Sequence, residues 1–493
     1  MIASPVHTLD SLAFDNTYAR LDPPFHARLE PTPLPDPYLV AFNADAAALI
    51  DLDPAEAARP DFLAVIAGNR LPAGAEPCAA LYAGHQFGQY VPQLGDGRAI
   101  LLGEVVNARG ERWDLQLKGA GRTPWSRFGD GRAVLRSTIR EYLCSEAMHA
   151  LGIPTTRALA IAGSDHPVLR ETPETAAVLL RLAPTHVRFG SFEVFFYRNQ
   201  HEHLRTLADY VIGLHYPELA GDPDQDFRFL EAVAERTGRL IAQWQAAGFA
   251  HGVMNTDNMS VLGLTLDYGP FGFMEAYDPG FVCNHSDDFG RYAFDQQPHV
   301  GLWNVACLAQ ALTPLLPRER CEEAIAAYEP AFVDEYSRRM RAKLGLTDDR
   351  EGDAALVTDL LALLAGNRVD YTNFFRDLAG VTVQPGSEAA LMERFTGRSA
   401  FAAWLERWRG RLAAEGSADN ERAARMNRAN PRYVLRNWLA HEAIRKAADE
   451  RDYAEIERLR GLLARPFDEQ PGMEAYAAPA PEWAAGLAVS CSS

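Results

Sequence analysis

The chain has 493 residues, 47% hydrophobic and 23% charged, a globular mixture that excludes a disordered protein. Its formal net charge of −18 repels phosphate backbones and anionic lipid, so no nucleic-acid or membrane partner is expected. No apolar run reaches the ~18 residues of a membrane span, and the first residues carry neither a secretory nor a mitochondrial leader, which points to the cytoplasm.

Only three of the 48 basic residues are lysines: Lys118, Lys343 and Lys446. Where arginine is the default cation, a retained lysine suggests a site that needs a compact ammonium rather than a planar fork. The six cysteines form no CxxC pair, so neither a zinc knuckle nor a secreted disulfide framework is indicated.

Residues 1–75 are rich in Pro and Ala and read as an N-terminal extension wrapped on a core. From Gly95 the pattern is that of strands: GDGR as a hairpin turn, AILLGEVV as an apolar strand, and RWDLQLK as a strand with strict alternation. The alternation sets Trp113, Leu115 and Leu117 on one face and Asp114, Gln116 and Lys118 on the other. A glycine-rich loop, GAGRTPWSRFGDGR, precedes a helix whose stripe is Leu135, Ile139, Tyr142, Leu143, Ala147 and Leu151, with Gly152 as its stop. LAIAG and AAVLLRLA are two further strands.

From about residue 201 helices dominate, the longest ending at Gly248. A loop, a short hairpin and a second loop follow in HGVMNTDNMSVLGLTLDYGPFGF, and helices return from about 350 to 465. The expected division is 76–200 as a sheet-rich nucleotide-binding lobe, 201–345 as a helical catalytic lobe, 346–478 as a helical extension and 479–493 as a tail.

One ordered set of residues carries chemistry. Kinase-like sites hold phosphates with a strand lysine, position it with a helix carboxylate, and bind magnesium through an Asn and an Asp. Lys118 ends a strand, Glu141 lies on the next helix, and Asn258 and Asp267 flank the expected hairpin, with Asp267-Tyr268-Gly269 close to a DFG signature. Asn258 falls five residues after Val253, the spacing of an HRDxxxxN loop, but Val253 stands where the kinase base would be and can accept no proton. Asp257 is the nearest substitute. His201-Glu202-His203 offers no third metal ligand and reads as a solvated helix start. His285 with Asp287 and Asp288 reads as loop polarity.

The segments LYAGHQFGQYVPQLGDGRAILLGEV, WDLQLKGAGRTPWSRFGDGRAVLRSTIREYLCSEAMHALGIPTTRAL, HGVMNTDNMSVLGLTLDYGPFGFM and VSCSS resemble the selenoprotein O/YdiU family over nearly the whole chain. The resemblance implies an α+β, protein-kinase-like two-lobed fold with N- and C-terminal extensions. It implies transfer of AMP from ATP to Ser, Thr or Tyr hydroxyls of proteins, with Mg²⁺ or Mn²⁺ as metal. Transfer of UMP from UTP by the same site is the alternative, and a non-catalytic ATP-binding pseudokinase scaffold is the rival from another class.

Carried onto this sequence, the nucleotide contacts fall on Gly95, Gly97, Arg98, Lys118, Asp130, Gly131, Arg181 and Arg188. The base falls on Asp257, the helix carboxylate on Glu141, and the metal ligands on Asn258 and Asp267. Without the resemblance, Arg181 and Arg188 would pass for surface arginines and Asp130-Gly131 for a turn. The family also suggests a regulatory bond between Cys283, in DPGFVCNHSDD, and Cys491 near the C-terminus.

Overall fold

The structure is a computed structural model that describes residues 6–487 and 489. Its strands, in chain order, are β1 (His26–Arg28), β2 (Tyr38–Phe42), β3 (Cys78–Ala80), β4 (Gly84–Gln86), β5 (Gln89–Val91) and β6 (Ala99–Val106). They continue with β7 (Arg112–Lys118), β8 (Ala133–Val134), β9 (Arg157–Leu169), β10 (Pro173–Ala183), β11 (Phe249–Ala250) and β12 (Gly272–Phe273). One sheet has the order β1-β3-β6-β7-β10-β9-β2, with β8 on β10, and its recorded pairings are antiparallel.

Both faces of this sheet are buried, because alternate side chains of its central strands enter different cores. Leu179 of β10 packs with Ile139 and Leu143 of the helix Leu135–Ala150. Val178, Leu180 and Leu182 pack instead with Phe62, Val65 and Ile66 of the N-terminal segment. That segment therefore does more than wrap the core. It covers one sheet face and supplies β1 and β2 as edge strands, neither of which its Pro-rich sequence announced. The predicted helix ends hold: Gly152 and Gly248 both take positive φ after their helices, 71° and 69°.

Two local expectations fail. Gly95–Arg98 is not a hairpin turn, since β6 pairs with β3 and β7 while β5 pairs with β4. Its chain is instead held by the glycine-rich loop: Thr123 Oγ1 donates to Asp96 O at 2.7 Å, and the Ser126 hydroxyl donates to Gly97 O. The hairpin expected between Asn258 and Asp267 reduces to a single bridge, Met259 with Thr265. Ser260 spends its pairing on Arg188 instead, tying that arginine to the loop that carries Asp257 and Asn258.

The remainder is helical. The helix Gln225–Ala247 packs on Gln297–Leu312 and Tyr328–Lys343. A separate core around Phe374, Trp404 and Trp408 holds the helices from Asp353 to Ala429 together, while Asn437–Arg445 and Ala454–Leu463 pack on the helix Leu135–Ala150. Among the described residues no helix is long and apolar enough to cross a membrane.

Candidate active site

A cleft of about 680 Å³ opens between the sheet and the loops that follow Gly248. From the sheet side it is lined by Gly95, Gly97, Arg98, Lys118, Asp130, Gly131 and Arg181, and from the other side by Val253, Asp257, Asn258 and Asp267. Glu141 and Arg188 act on it through its wall residues.

The register of the sheet explains the convergence. Lys118 sits opposite Leu179 and Gln116 opposite Arg181, so β7 and β10 present Lys118, Gln116 and Arg181 side by side. Lys118 Nζ donates to Glu141 Oε2 at 2.6 Å and to Asp267 Oδ1 at 2.9 Å. Arg181 Nη1 reaches Glu141 Oε1 at 2.8 Å and Asp267 Oδ1 at 2.6 Å, while its Nε and Nη2 bind Gln116 Oε1. Arg188 Nη1 donates to Asp267 Oδ2 and to Asp257 O, both at 2.7 Å, with its guanidinium 4.5 Å from the Tyr82 ring centroid. Neither arginine is a surface residue; each is at most 2% exposed.

Burial opposes ionisation of Asp267, but Arg181, Lys118 and Arg188 together hold its carboxyl well below the usual range. Asp257 is the opposite case. Burial pushes its carboxyl up to about 7, against the pull of Arg188, and its Oδ1 has no hydrogen-bond partner among the described residues. Asn258 Nδ2 donates to Val253 O at 2.9 Å, which leaves its amide oxygen to accept or ligate. Asp267 and Asn258 thus offer hard oxygen donors, the set that suits Mg²⁺ or Mn²⁺.

Asp130 is engaged by a residue the sequence reading did not single out. Arg170 takes its two oxygens in a fork at 2.9 and 3.0 Å and lines the same cleft. No motif marked Arg170, since it sits in the β9–β10 turn. Gly131 is required by sterics: at φ 74° a Cβ there would lie 2.1 Å from Gly121 C.

His201 opens the helix His201–His215, and His203 packs edge-on to Phe25 at 5.5 Å. Asp287 spends its carboxylate on the backbone N–H groups of Arg291 and Tyr292. Cys283 is buried, its Sγ 3.5 Å from Ala250 O; Cys491 lies outside the described residues.

Comparison with known proteins follows the same lines. The family model described as protein adenylyltransferase SelO matches residues 8–463. A protein nucleotidyltransferase YdiU from Thiobacillus denitrificans is 62% identical over 99% of this chain and 100% of its own length. The protein of the same name from Myxococcus xanthus is 59% identical, and that from Thioalkalivibrio sulfidiphilus 58%, each over 99% of this chain and all of its own.

Proposed function

The chain belongs to the SelO protein adenylyltransferase family, and from that premise we propose that it transfers AMP from ATP to hydroxyl side chains of proteins, with pyrophosphate as the other product. The observation that carries this reading is the convergence of Lys118, Arg181 and Arg188 on Asp267 at the cleft wall.

Three fixed cations face two carboxylates, Asp267 and Glu141, which leaves an excess of positive charge among these ion pairs at the cleft wall. They suit the terminal phosphates of a nucleotide lying with its triphosphate directed inward, as in a kinase-like fold that holds ATP end for end. Arriving phosphate oxygens give these cations new partners and release the Asp267 oxygens for metal. Asn258 and Asp267 would hold that ion, which when bound supplies neutralisation of charge on the departing pyrophosphate. Glu141 keeps Lys118 and Arg181 in place through one carboxylate, an oxygen for each.

With the terminal phosphates held deep, the α-phosphate faces the acceptor. The acceptor oxygen attacks it, the bond from α-phosphorus to the bridging oxygen breaks, and Asp257 takes the hydroxyl proton. Val253 puts no proton-accepting group at the kinase base position to direct a hydroxyl towards a γ-phosphate. Gly95, Gly97, Arg98, Asp130 and Gly131 form the remaining nucleotide contacts in this reading, within a two-lobed kinase-like architecture. Cys283 and Cys491 form a reversible bond that lowers activity.

Intact-protein mass spectrometry after incubation with ATP or with UTP, in Mg²⁺ or Mn²⁺, tests the reading. A mass increase of one AMP supports it. Addition of UMP alone would reassign the nucleotide, addition of phosphate would make the chain a kinase, and no addition would favour a scaffold.

A further inference from the structure

The hairpin of β4 and β5 lies in the segment LYAGHQFGQY and outside every catalytic motif, yet four successive residues of it touch the catalytic loop. His85 N–H donates to Thr256 Oγ1 at 2.7 Å. Gln86 Nε2 donates to Asp257 Oδ2 at 3.3 Å. Phe87 N–H donates to Asn255 Oδ1 at 3.3 Å and to the Tyr292 hydroxyl at 2.9 Å, and that hydroxyl donates to Asn255 Oδ1 at 2.6 Å. At Gly84 a Cβ would stand 2.8 Å from Asp257 Oδ1 and 3.0 Å from Thr256 Oγ1, so a side chain there would displace the carboxylate or the hydroxyl.

A buried carboxylate closes the arrangement. Glu193, fully buried on the helix Phe189–Tyr197, accepts from the Thr256 hydroxyl at 2.7 Å and pairs with His85 Nδ1 at 2.9 Å. His85, Thr256 and Glu193 thereby form a closed ring on the residue next to Asp257. Phe87, a bulky side chain, holds φ 49° at the turn, a costly conformation that this anchoring sustains.

We propose that this hairpin is a positioning device for transfer: Gln86 fixes the Asp257 carboxylate, and the His85–Thr256–Glu193 ring fixes the backbone that carries it. The terminal torsion of a carboxylate is broad and two-fold, so one hydrogen bond decides which oxygen is held and which is left for a proton. Gln86 supplies that bond to Oδ2, and Asp257 Oδ1 has no hydrogen-bond partner among the described residues. None of these groups needs to touch the nucleotide's terminal phosphates. Their loss therefore acts on turnover and spares binding. The inference rests on the reading of Asp257 as the base.

The test uses Gln86→Ala, Thr256→Val and Thr256→Ser in the full chain. Three quantities are measured: incorporation of α-labelled ATP into the chain itself and into casein, the dissociation constant of Mg-ATP, and the melting temperature. Gln86→Ala and Thr256→Val are expected to slow incorporation at saturating ATP roughly tenfold or more, with ATP affinity within about twofold of the unaltered chain. Thr256→Ser, which keeps the hydroxyl, restores most of the rate. Wild-type incorporation by Gln86→Ala, or parallel loss of affinity and rate, overturns the positioning role. Should Thr256→Val fail to fold, Gln86→Ala at the cleft wall decides alone. No label from the unaltered chain would overturn the transfer reading and this inference with it.

Discussion

Arg181 Nη1 lies 2.6 Å from Asp267 Oδ1 and 2.8 Å from Glu141 Oε1, so one guanidinium nitrogen bridges carboxylates from two distant parts of the chain. Lys118 makes the same bridge on its own, from the neighbouring strand. Asp267 is thus the hub that holds the cleft's cations together before any ligand enters.

Removing that hub should cost stability as well as activity. Asp267→Ala leaves Lys118, Arg181 and Arg188 buried and under-compensated, and breaking such an arrangement costs about 3–5 kcal/mol. Denaturant unfolding should show that loss, and inorganic tripolyphosphate without metal should raise the melting temperature of the variant more than that of the unaltered chain. Equal shifts in both proteins would show that the cations are not the phosphate receptors.

Lys118→Arg should also fail, although it preserves charge. The ammonium fits between Glu141 Oε2 and Asp267 Oδ1, beside the Arg181 guanidinium, which takes Glu141 Oε1 and shares Asp267 Oδ1, while Arg188 holds Asp267 Oδ2. A second planar fork is bulkier there and cannot reproduce both contacts. Transfer should fall by roughly tenfold or more, about 1.4 kcal/mol of barrier or greater. Near-normal rates would mean that the scarcity of lysine in this sequence carries no information about position 118.

Gly131→Ala should weaken ATP binding without changing the catalytic carboxylates. Its Cβ would collide with the Gly121 backbone, forcing apart the glycine-rich loop that packs on Gly95 and Gly97. Calorimetric titration with ATP should show a loss of roughly tenfold or more, about 1.4 kcal/mol. Unchanged affinity would remove the loop from the nucleotide site.

Far from the cleft, Lys343 gives a pH-dependent stability. Its ammonium is buried 4.2 Å from the Phe375 ring centroid, and burial pulls its pKa down to about 7. An unfolded lysine titrates near about 10.4, so between about pH 7 and 10 the unfolded chain binds the extra proton. The penalty is complete below pH 7 and is relieved as pH rises, by at most about 1.4 kcal/mol per unit, less what the rings return to the cation. Lys343→Met should therefore exceed the unaltered chain in stability most at pH 7 and clearly less at pH 9. A difference independent of pH would contradict this.

The proposed redox control has one structural support. His285 N–H donates to Val489 O at 2.9 Å, tying the chain two residues before Cys491 to a position two residues after Cys283. Mild oxidation with glutathione disulfide should link Cys283 to Cys491 in peptide maps and lower transfer, with dithiothreitol restoring it. Two unlinked thiols after oxidation, or an unaltered response in Cys491→Ser, would dispose of the switch.

Much of the site was legible because its residues sit at motif spacings. Lys118 follows from strand alternation, Asn258 from the spacing after Val253, and Asp267 from its DFG-like tripeptide. Arg181 and Arg188 were not legible from pattern alone, because burial of an arginine depends on partners far along the chain, here Glu141, Gln116 and Asp267. The β4–β5 hairpin escaped for a related reason. Its strands are three residues each, too short for a period, and its Phe-Gly turn was the one local sign. The edge strands β1 and β2 were hidden among prolines whose neighbours pair with β3 and β9 only once the sheet exists.

The most direct measurement of the central claim is to incubate the protein and an acceptor with ATP labelled either at the α- or at the γ-phosphate. If Arg181 and Arg188 hold the terminal phosphates, with Val253 in the kinase base position, the α-label should become protein-bound and the γ-label should leave in pyrophosphate. Protein-bound γ-label that disappears in Asp267→Ala would contradict the account and make this chain a kinase.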